Sequence, residues 1–252
     1  MKTSFTQKLR SPSPSLGTLV SLPAPEVSEM LSLAGFDWLF IDMEHSTLSL
    51  AEVQRHLQAI RGECSGLVRV AENNPIYIQQ ALDLGADGVI VPAVNSAEEA
   101  RRAVQAANYP PTGTRNVGIG RAHGYGLAFA DYVATANETT ALIIQIEHID
   151  AVRNLDEILA VPGIDGVFIG PYDLSGSMNR LGDVQHPDVQ AAIQTIKTGC
   201  VARGIPVGIF TRQPEAITAE IASGTRFIAV GTDAGFIWQS GKAVVDGFRS
   251  LV

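Results

Sequence analysis

Short, almost wholly apolar runs alternate with amphipathic stretches along the whole chain. The runs fall at residues 16–20, 37–42, 66–70, 87–91, 141–147, 165–170, 205–210 and 226–230. Most are continuous rather than alternating, the pattern of strands buried on both faces of a parallel sheet. Stretches 50–60, 96–107, 150–159 and 187–202 instead place their apolar residues at helical spacing. Ser96 with Glu99 predicts a capping box at the start of one of them. Helix-ending residues recur just before the next strand, at Gly35, Gly85, Pro162-Gly163, Gly204 and Gly224. Eight strand–helix units predict a closed (β/α)8 TIM barrel, one domain over residues 1–252. The rival, a doubly wound open sheet, would carry a glycine-rich phosphate turn after its first strand. Val20-Ser21-Leu22-Pro23 is not one.

Composition agrees. The 252 residues are 46% apolar, enough for a large core, and a barrel of about 250 residues forms one domain. The net charge of −8 argues against a nucleic-acid partner, which requires a surplus of Lys and Arg. Cys64 and Cys200 are too few for a disulfide framework. With a polar start over residues 1–10 and no apolar run near the ~20 residues of a membrane span, the expectation is a cytoplasmic protein with no membrane partner.

In a barrel, chemistry collects at the C-terminal ends of the strands. Unusual residues sit there. "FIDMEHS" places Asp42, Glu44 and His45 after the second strand; Arg69 nears the end of the third; Gln145 and Glu147 end the fifth; Asp173 follows the sixth. Glu147 and Asp173 each end an apolar run, where a bare carboxylate is costly to bury. They are either helix caps, a role Asp150 could already fill, or the carboxylates of a divalent metal site. Two carboxylates with substrate oxygens and water suit Mg2+, Mn2+ or Co2+ better than zinc.

Arg69 is either a structural salt bridge across the barrel or a planar donor for a carboxylate or developing oxyanion. His45 is the natural general base. The other histidines, His56, His123, His148 and His186, read as surface residues. Asp83 occupies a helix's last turn, where the macrodipole disfavours an anion. It is either a tolerated exposed residue or the orienter of His45. The Gly170-Pro171 turn of "GPYDLS" opens a short helix whose N–H groups at Tyr172 and Asp173 could receive a carboxylate. The glycine-rich stretch within 109–136, with Arg115 and Arg121, predicts a functional lid or an interface arm. The lysines are Lys2, Lys8, Lys197 and Lys242, none at a strand's C-terminal end, so a Schiff-base aldolase is excluded. Carbanion chemistry would then use a metal electrophile. The reading is a metal-dependent lyase.

The motifs "GFDWLFIDMEHS", "ALDLGADGVIVPAVNSAEEA", "YPPTGTR", "QIE" and "GVFIGPYDLS" together resemble the HpcH/HpaI family of class II pyruvate aldolases, across nearly the whole chain. The resemblance implies cleavage of a 4-hydroxy-2-oxo acid to pyruvate and an aldehyde. It implies Glu147 and Asp173 as metal carboxylates with Gln145 beside them, and Arg69 on the pyruvate oxygens. His45 and Asp83 match the base and its orienter, and the backbone at Tyr172 and Asp173 the carboxylate cradle. It also implies a homo-oligomer, a hexamer built from dimers that exchange the last helix, here residues 234–249. Asn116 after "GTR", and Thr211-Arg212 after the seventh strand, depart from the family pattern, the latter beside the aldehyde pocket. Two other readings use the same residues: a metal-dependent decarboxylase or lyase acting on oxaloacetate, and a non-catalytic metabolite-binding barrel.

Overall fold

The computed structural model describes residues 3–251 and holds eight parallel strands in a closed barrel. They are β1 (Ser15–Val20), β2 (Trp38–Asp42), β3 (Ser65–Arg69), β4 (Gly88–Val91), β5 (Ala141–Ile146), β6 (Gly166–Ile169), β7 (Val207–Thr211) and β8 (Phe227–Thr232). All eight predicted strands are present, in order, and each pairs with its sequence neighbours, β8 closing on β1. The chain is a (β/α)8 TIM barrel. Lys2, counted among the lysines above, lies outside the described residues.

Alternation along the strands divides the core in two. One set of side chains, including Trp38, Phe40, Leu67, Ile143, Phe168 and Phe227, packs inside the barrel. The intervening residues, such as Ile41, Val68, Ile144, Val167 and Ile169, pack outward under the helices. Continuous apolar strands are the outcome of burying both faces. Inside, size is matched. A Cβ on Gly17 would lie 2.3 Å from the Trp38 ring, and one on Gly208 would lie 2.4 Å from Phe227. Glycines on β1 and β7 thus make room for large rings on β2 and β8. Phe40 meets Phe168 at 5.3 Å between ring centroids and Phe168 meets Phe227 at 5.8 Å, each pair adding about 0.5–1.5 kcal/mol beyond area burial.

The N-terminal end is sealed and tied. The helix Phe5–Arg10, with a complete capping box at Ser4 and Gln7, inserts Phe5 against Trp38 at 5.7 Å and Phe227 at 6.1 Å. Three aspartates just ahead of alternate strands accept the N–H of the second residue of the strand before. Asp37 takes Leu16, Asp87 takes Gly66 and Asp165 takes Leu142, at 2.8, 2.8 and 2.9 Å. No inventory of strand propensities predicts these ties; they follow from register.

The helices depart from expectation in three details. Stretch 150–159 is two helices, Ile149–Arg153 and Leu155–Leu159, because Asn154 leaves helical geometry at φ −94°, ψ 11°. The cap there is His148, whose Nδ1 accepts from the Asp150 N–H; Asp150 lies in the first turn and pairs with Arg153 at 2.7 Å. At Ser96 the hydroxyl accepts from the Glu99 N–H, but Glu99 reaches back to Asn95 rather than to Ser96, so the box is incomplete. Segment 109–136 contains a 3-10 stretch, Arg121–Gly126, and the start of the helix Phe129–Thr139. The last helix, Asp233–Arg249, exposes Ile237, Trp238, Val244 and Phe248. No helix among the described residues is long and apolar enough to cross a membrane.

Candidate active site

The inward-facing positions climb each strand from apolar floor to polar rim. On β2 the sequence is Trp38, Phe40, Asp42; on β3 it is Leu67, Arg69; on β5 and just past it, Ile143, Gln145, Glu147. A period of two therefore delivers an acid, a cation, an amide and a second acid to one mouth. Asp42 and Arg69 are paired residues in the β2–β3 ladder. Arg69 donates from Nε to Asp42 Oδ1 at 2.8 Å and from Nη2 to Oδ2 at 2.7 Å, and its Nη1 lies 3.1 Å from Glu44 Oε2. Its guanidinium also covers the Phe40 ring at 5.0 Å. Both readings of Arg69 remain standing: it is salt-bridged, and it lines the cavity described below.

Asp42 also shapes the loop. Its Oδ1 accepts from the Glu44 N–H at 3.0 Å and the His45 N–H at 3.3 Å. That fold-back sets the His45 ring at the rim, with its side chain 64% exposed and Nε2 3.7 Å from Glu44 Oε2. Burial raises the Glu44 carboxyl above its usual range, opposed by Arg69 and reinforced by the nearby Glu147 charge.

Glu147 is held from two sides. Its Oε1 accepts from the Ala93 N–H at 2.8 Å, and its Oε2 takes the Gln145 amide. Burial raises its carboxyl, and Asp173 adds to the effect. Gly170 allows this approach, since a Cβ there would stand 2.9 Å from both Glu147 Cβ and Oε2. Asp173 lies in the first turn of the helix Pro171–Ser177. That turn begins with proline, and within the described residues no hydrogen bond occupies the Tyr172 and Asp173 N–H groups.

His45, Arg69, Gln145, Gly170, Tyr172 and Asp173 line one cavity of about 160 Å³, floored by Phe40 and Phe168 and walled by Leu19, Pro171 and Phe210. The apolar wall was not among the residues singled out from sequence, although strand alternation would have placed it. Glu147 stands behind, in contact with Gln145 and beneath Gly170.

These residues fit a hard divalent cation. The Asp173 charge adds to the raised proton affinity of Glu147, and among the described residues the buried Gln145 Oε1 has no hydrogen-bond partner. Among the described residues no third His, Cys, Asp or Glu joins them, which leaves positions for substrate oxygens and water, the pattern of Mg2+ rather than of zinc.

Asp83 lies elsewhere. It ends the helix Pro75–Asp83 and does receive a compensating cation, but that cation is Arg115, Nη2 to Oδ1 at 2.7 Å. Within the described residues of this one chain no contact joins Asp83 to His45; Asp83 pairs with Arg115, from the segment after β4. Arg115 itself is fully buried, 4.5 Å from the centre of the Tyr109 ring and 5.7 Å from that of Tyr132. The tyrosine-flanked "YPPTGTR" was the signal for it. Two of the four histidines read as surface residues are interior. His56 is wholly buried with Nδ1 2.8 Å from Ser28 Oγ, and His123 organises its loop, Nδ1 accepting from the Gly126 N–H at 3.0 Å. His56 lies on the buried face of the helix Leu50–Ala59 and His123 within its loop, and a polar residue at such a position is not flagged by apolar periodicity.

Residues 16–239 match the model of the HpcH/HpaI aldolase/citrate lyase family. The chain belongs to this family. It is 43% identical over 241 residues to the 2-dehydro-3,6-dideoxy-6-sulfogluconate aldolase of Pseudomonas putida, covering 94% of this chain and 93% of that one. It is 41% identical over 244 residues to the hydroxypyruvate/pyruvate aldolase of Roseobacter denitrificans, covering 95% and 94%. A crystal structure of an HpcH/HpaI aldolase/citrate lyase family protein from Burkholderia cenocepacia superposes with a TM-score of 0.93 at 33% identity, covering 97% of this chain and 98% of that one. This HpcH/HpaI family member is a carbon–carbon lyase of the aldolase type.

Proposed function

We propose that this HpcH/HpaI aldolase reversibly cleaves a 4-hydroxy-2-oxo acid to pyruvate and a small aldehyde, with a divalent cation as cofactor. The observation that carries the reading is the convergence of His45, Arg69, Gln145 and Asp173 on one cavity, with Glu147 behind them. The aldolase names of its relatives point the same way. Glu147 and Asp173 hold Mg2+, Mn2+ or Co2+, which when bound supplies a Lewis acid that polarises the keto group.

The chain's own residues do the rest. His45, exposed at the rim, takes the proton of the C4 hydroxyl as the C3–C4 bond breaks. The electron pair of that bond passes to C3, leaving pyruvate as its enolate, and the aldehyde departs from the outer side. Arg69 stands beside the developing negative charge, and its grip by Asp42 and Glu44 keeps the planar guanidinium fixed in place. The Tyr172 and Asp173 N–H groups receive the substrate carboxylate. Proton return to C3 completes pyruvate.

The test is condensation of pyruvate with a panel of aldehydes under each metal. Failure to form a 4-hydroxy-2-oxo acid with any of them, while oxaloacetate is decarboxylated, would replace this reading with that of a decarboxylase.

We infer too that the chain works as a homo-oligomer, because Ile237, Trp238, Val244 and Phe248 would otherwise stand in water along one helix; the family resemblance suggests a hexamer built from dimers. Sedimentation equilibrium measures this directly.

A further inference from the structure

The loop after β4, residues 92–95, folds over the end of β5. Ala93 gives its N–H to Glu147 Oε1 at 2.8 Å, and Val94 gives its N–H to the Gln145 carbonyl at 3.4 Å. Successive N–H groups diverge in extended backbone and converge where the chain turns tightly. Here the turn is left-handed, with Ala93 at φ 53°.

That conformation is uncommon outside glycine, and asparagine and aspartate are the residues that otherwise tolerate it. Ala93 has no polar side chain to bond the turn, and it is exposed, so side-chain packing does not impose the conformation. Main-chain ties do. The Asn95 N–H is taken by Glu99 Oε2 at 2.7 Å, and the Asn95 carbonyl receives Asn154 Nδ2 at 2.9 Å. Glu99 is itself fixed in the first turn of the helix Ala97–Ala107, where its N–H is capped by Ser96. Strained backbone persists where its surroundings over-determine it, and it collects at functional sites. The strain at Ala93 serves one acceptor atom. With Oε1 committed to the Ala93 N–H, the Glu147 carboxylate cannot turn freely, and Oε2 stays beneath Gly170, at the start of the helix that carries Asp173.

We propose that Ala93 is a positioning residue: its left-handed backbone, anchored through Asn95 by Glu99 and Asn154, aims the Glu147 carboxylate at the divalent cation. This rests on the metal reading above and adds to it the residues that orient one of the two carboxylates.

The experiment titrates Mn2+ alone into the metal-free full chain, following free Mn2+ by its electron spin resonance, beside the melting temperature of each metal-free variant. A β-branched residue resists the left-handed region more than alanine does, and an exposed position has room for it. Ala93→Val lowers Mn2+ affinity by about 10- to 100-fold, the usual effect of losing a group that orients a metal ligand, with the melting temperature unchanged. Ala93→Gly, which adopts the conformation freely, binds as the wild type does. Glu99→Ala, outside the site, also weakens binding, whereas Glu98→Ala, which removes the same charge one position away on an exposed residue, does not. A folded Ala93→Val with wild-type affinity overturns the assignment. Should Ala93→Val fail to fold, wild-type affinity in Glu99→Ala overturns it instead. A wild type that binds no Mn2+ overturns the metal reading itself.

Discussion

Asp42 grips Arg69 through both carboxylate oxygens, at 2.8 and 2.7 Å, from adjacent positions of β2 and β3. Both side chains are more than nine-tenths buried. Taking one partner away leaves an uncompensated charge in the barrel. Asp42→Ala therefore lowers stability by about 3–5 kcal/mol, a loss visible as a shift of the urea midpoint. It also frees the Glu44 and His45 N–H groups that Asp42 Oδ1 now receives.

His45 is weakly held by the fold, and its replacement costs chemistry rather than stability. His45→Ala reduces kcat for retro-aldol cleavage by about 10²–10⁴ with an unchanged melting temperature. Oxaloacetate decarboxylation, which has no hydroxyl proton to remove, is spared. An equal loss in both reactions would show that His45 is not the base.

Excess EDTA abolishes turnover and Mg2+ or Mn2+ restores it. Glu147→Gln lowers metal affinity by at least 10-fold, measured by Mn2+ titration, because a neutral amide replaces one of two carboxylates. Full activity in EDTA would contradict the proposed cofactor.

Gly17 faces Trp38 with no space for a methyl group, a Cβ being 2.3 Å from the indole. Gly17→Ala forces the ring from its place among Phe5, Phe40, Phe168 and Phe227. The expected loss is about 1–3 kcal/mol, with a change in tryptophan fluorescence. Gly241→Ala, with open space around it, serves as the control.

Asp165 tests linkage away from the site. Burial raises its carboxyl above the usual range, with the Leu142 N–H bond and then Arg10 opposing. The folded chain thus holds this proton more tightly than the unfolded chain. Stability from this group is present in acid and is lost as pH rises from the ordinary carboxylate value through the raised one. Asparagine keeps an acceptor for the Leu142 N–H and cannot ionise. Asp165→Asn gains on wild type as pH rises across that window, measured by urea unfolding at about pH 4 and about pH 7. A constant difference would refute the shift.

The barrel was legible because burial on both faces imprints itself as continuous apolar runs, and eight such runs with helices between them admit few architectures. The site was legible for a related reason. Asp42, Arg69 and Glu147 are polar residues where the pattern demands apolar ones, and strand ends bring them together. Pairing was less so. Asp83 announced its need for a cation, yet nothing in local sequence says that Arg115, 32 residues away, supplies it. The buried His56 and the tie from Asp165 to Leu142 are equally contacts across the fold, invisible to periodicity.

The phenylalanine of the first helix acts as a cork. With Phe5 seated against Trp38 and Phe227, water and solutes reach the barrel's axis from one end alone. Any molecule that enters or leaves the cavity does so at the other end, past the exposed His45 ring.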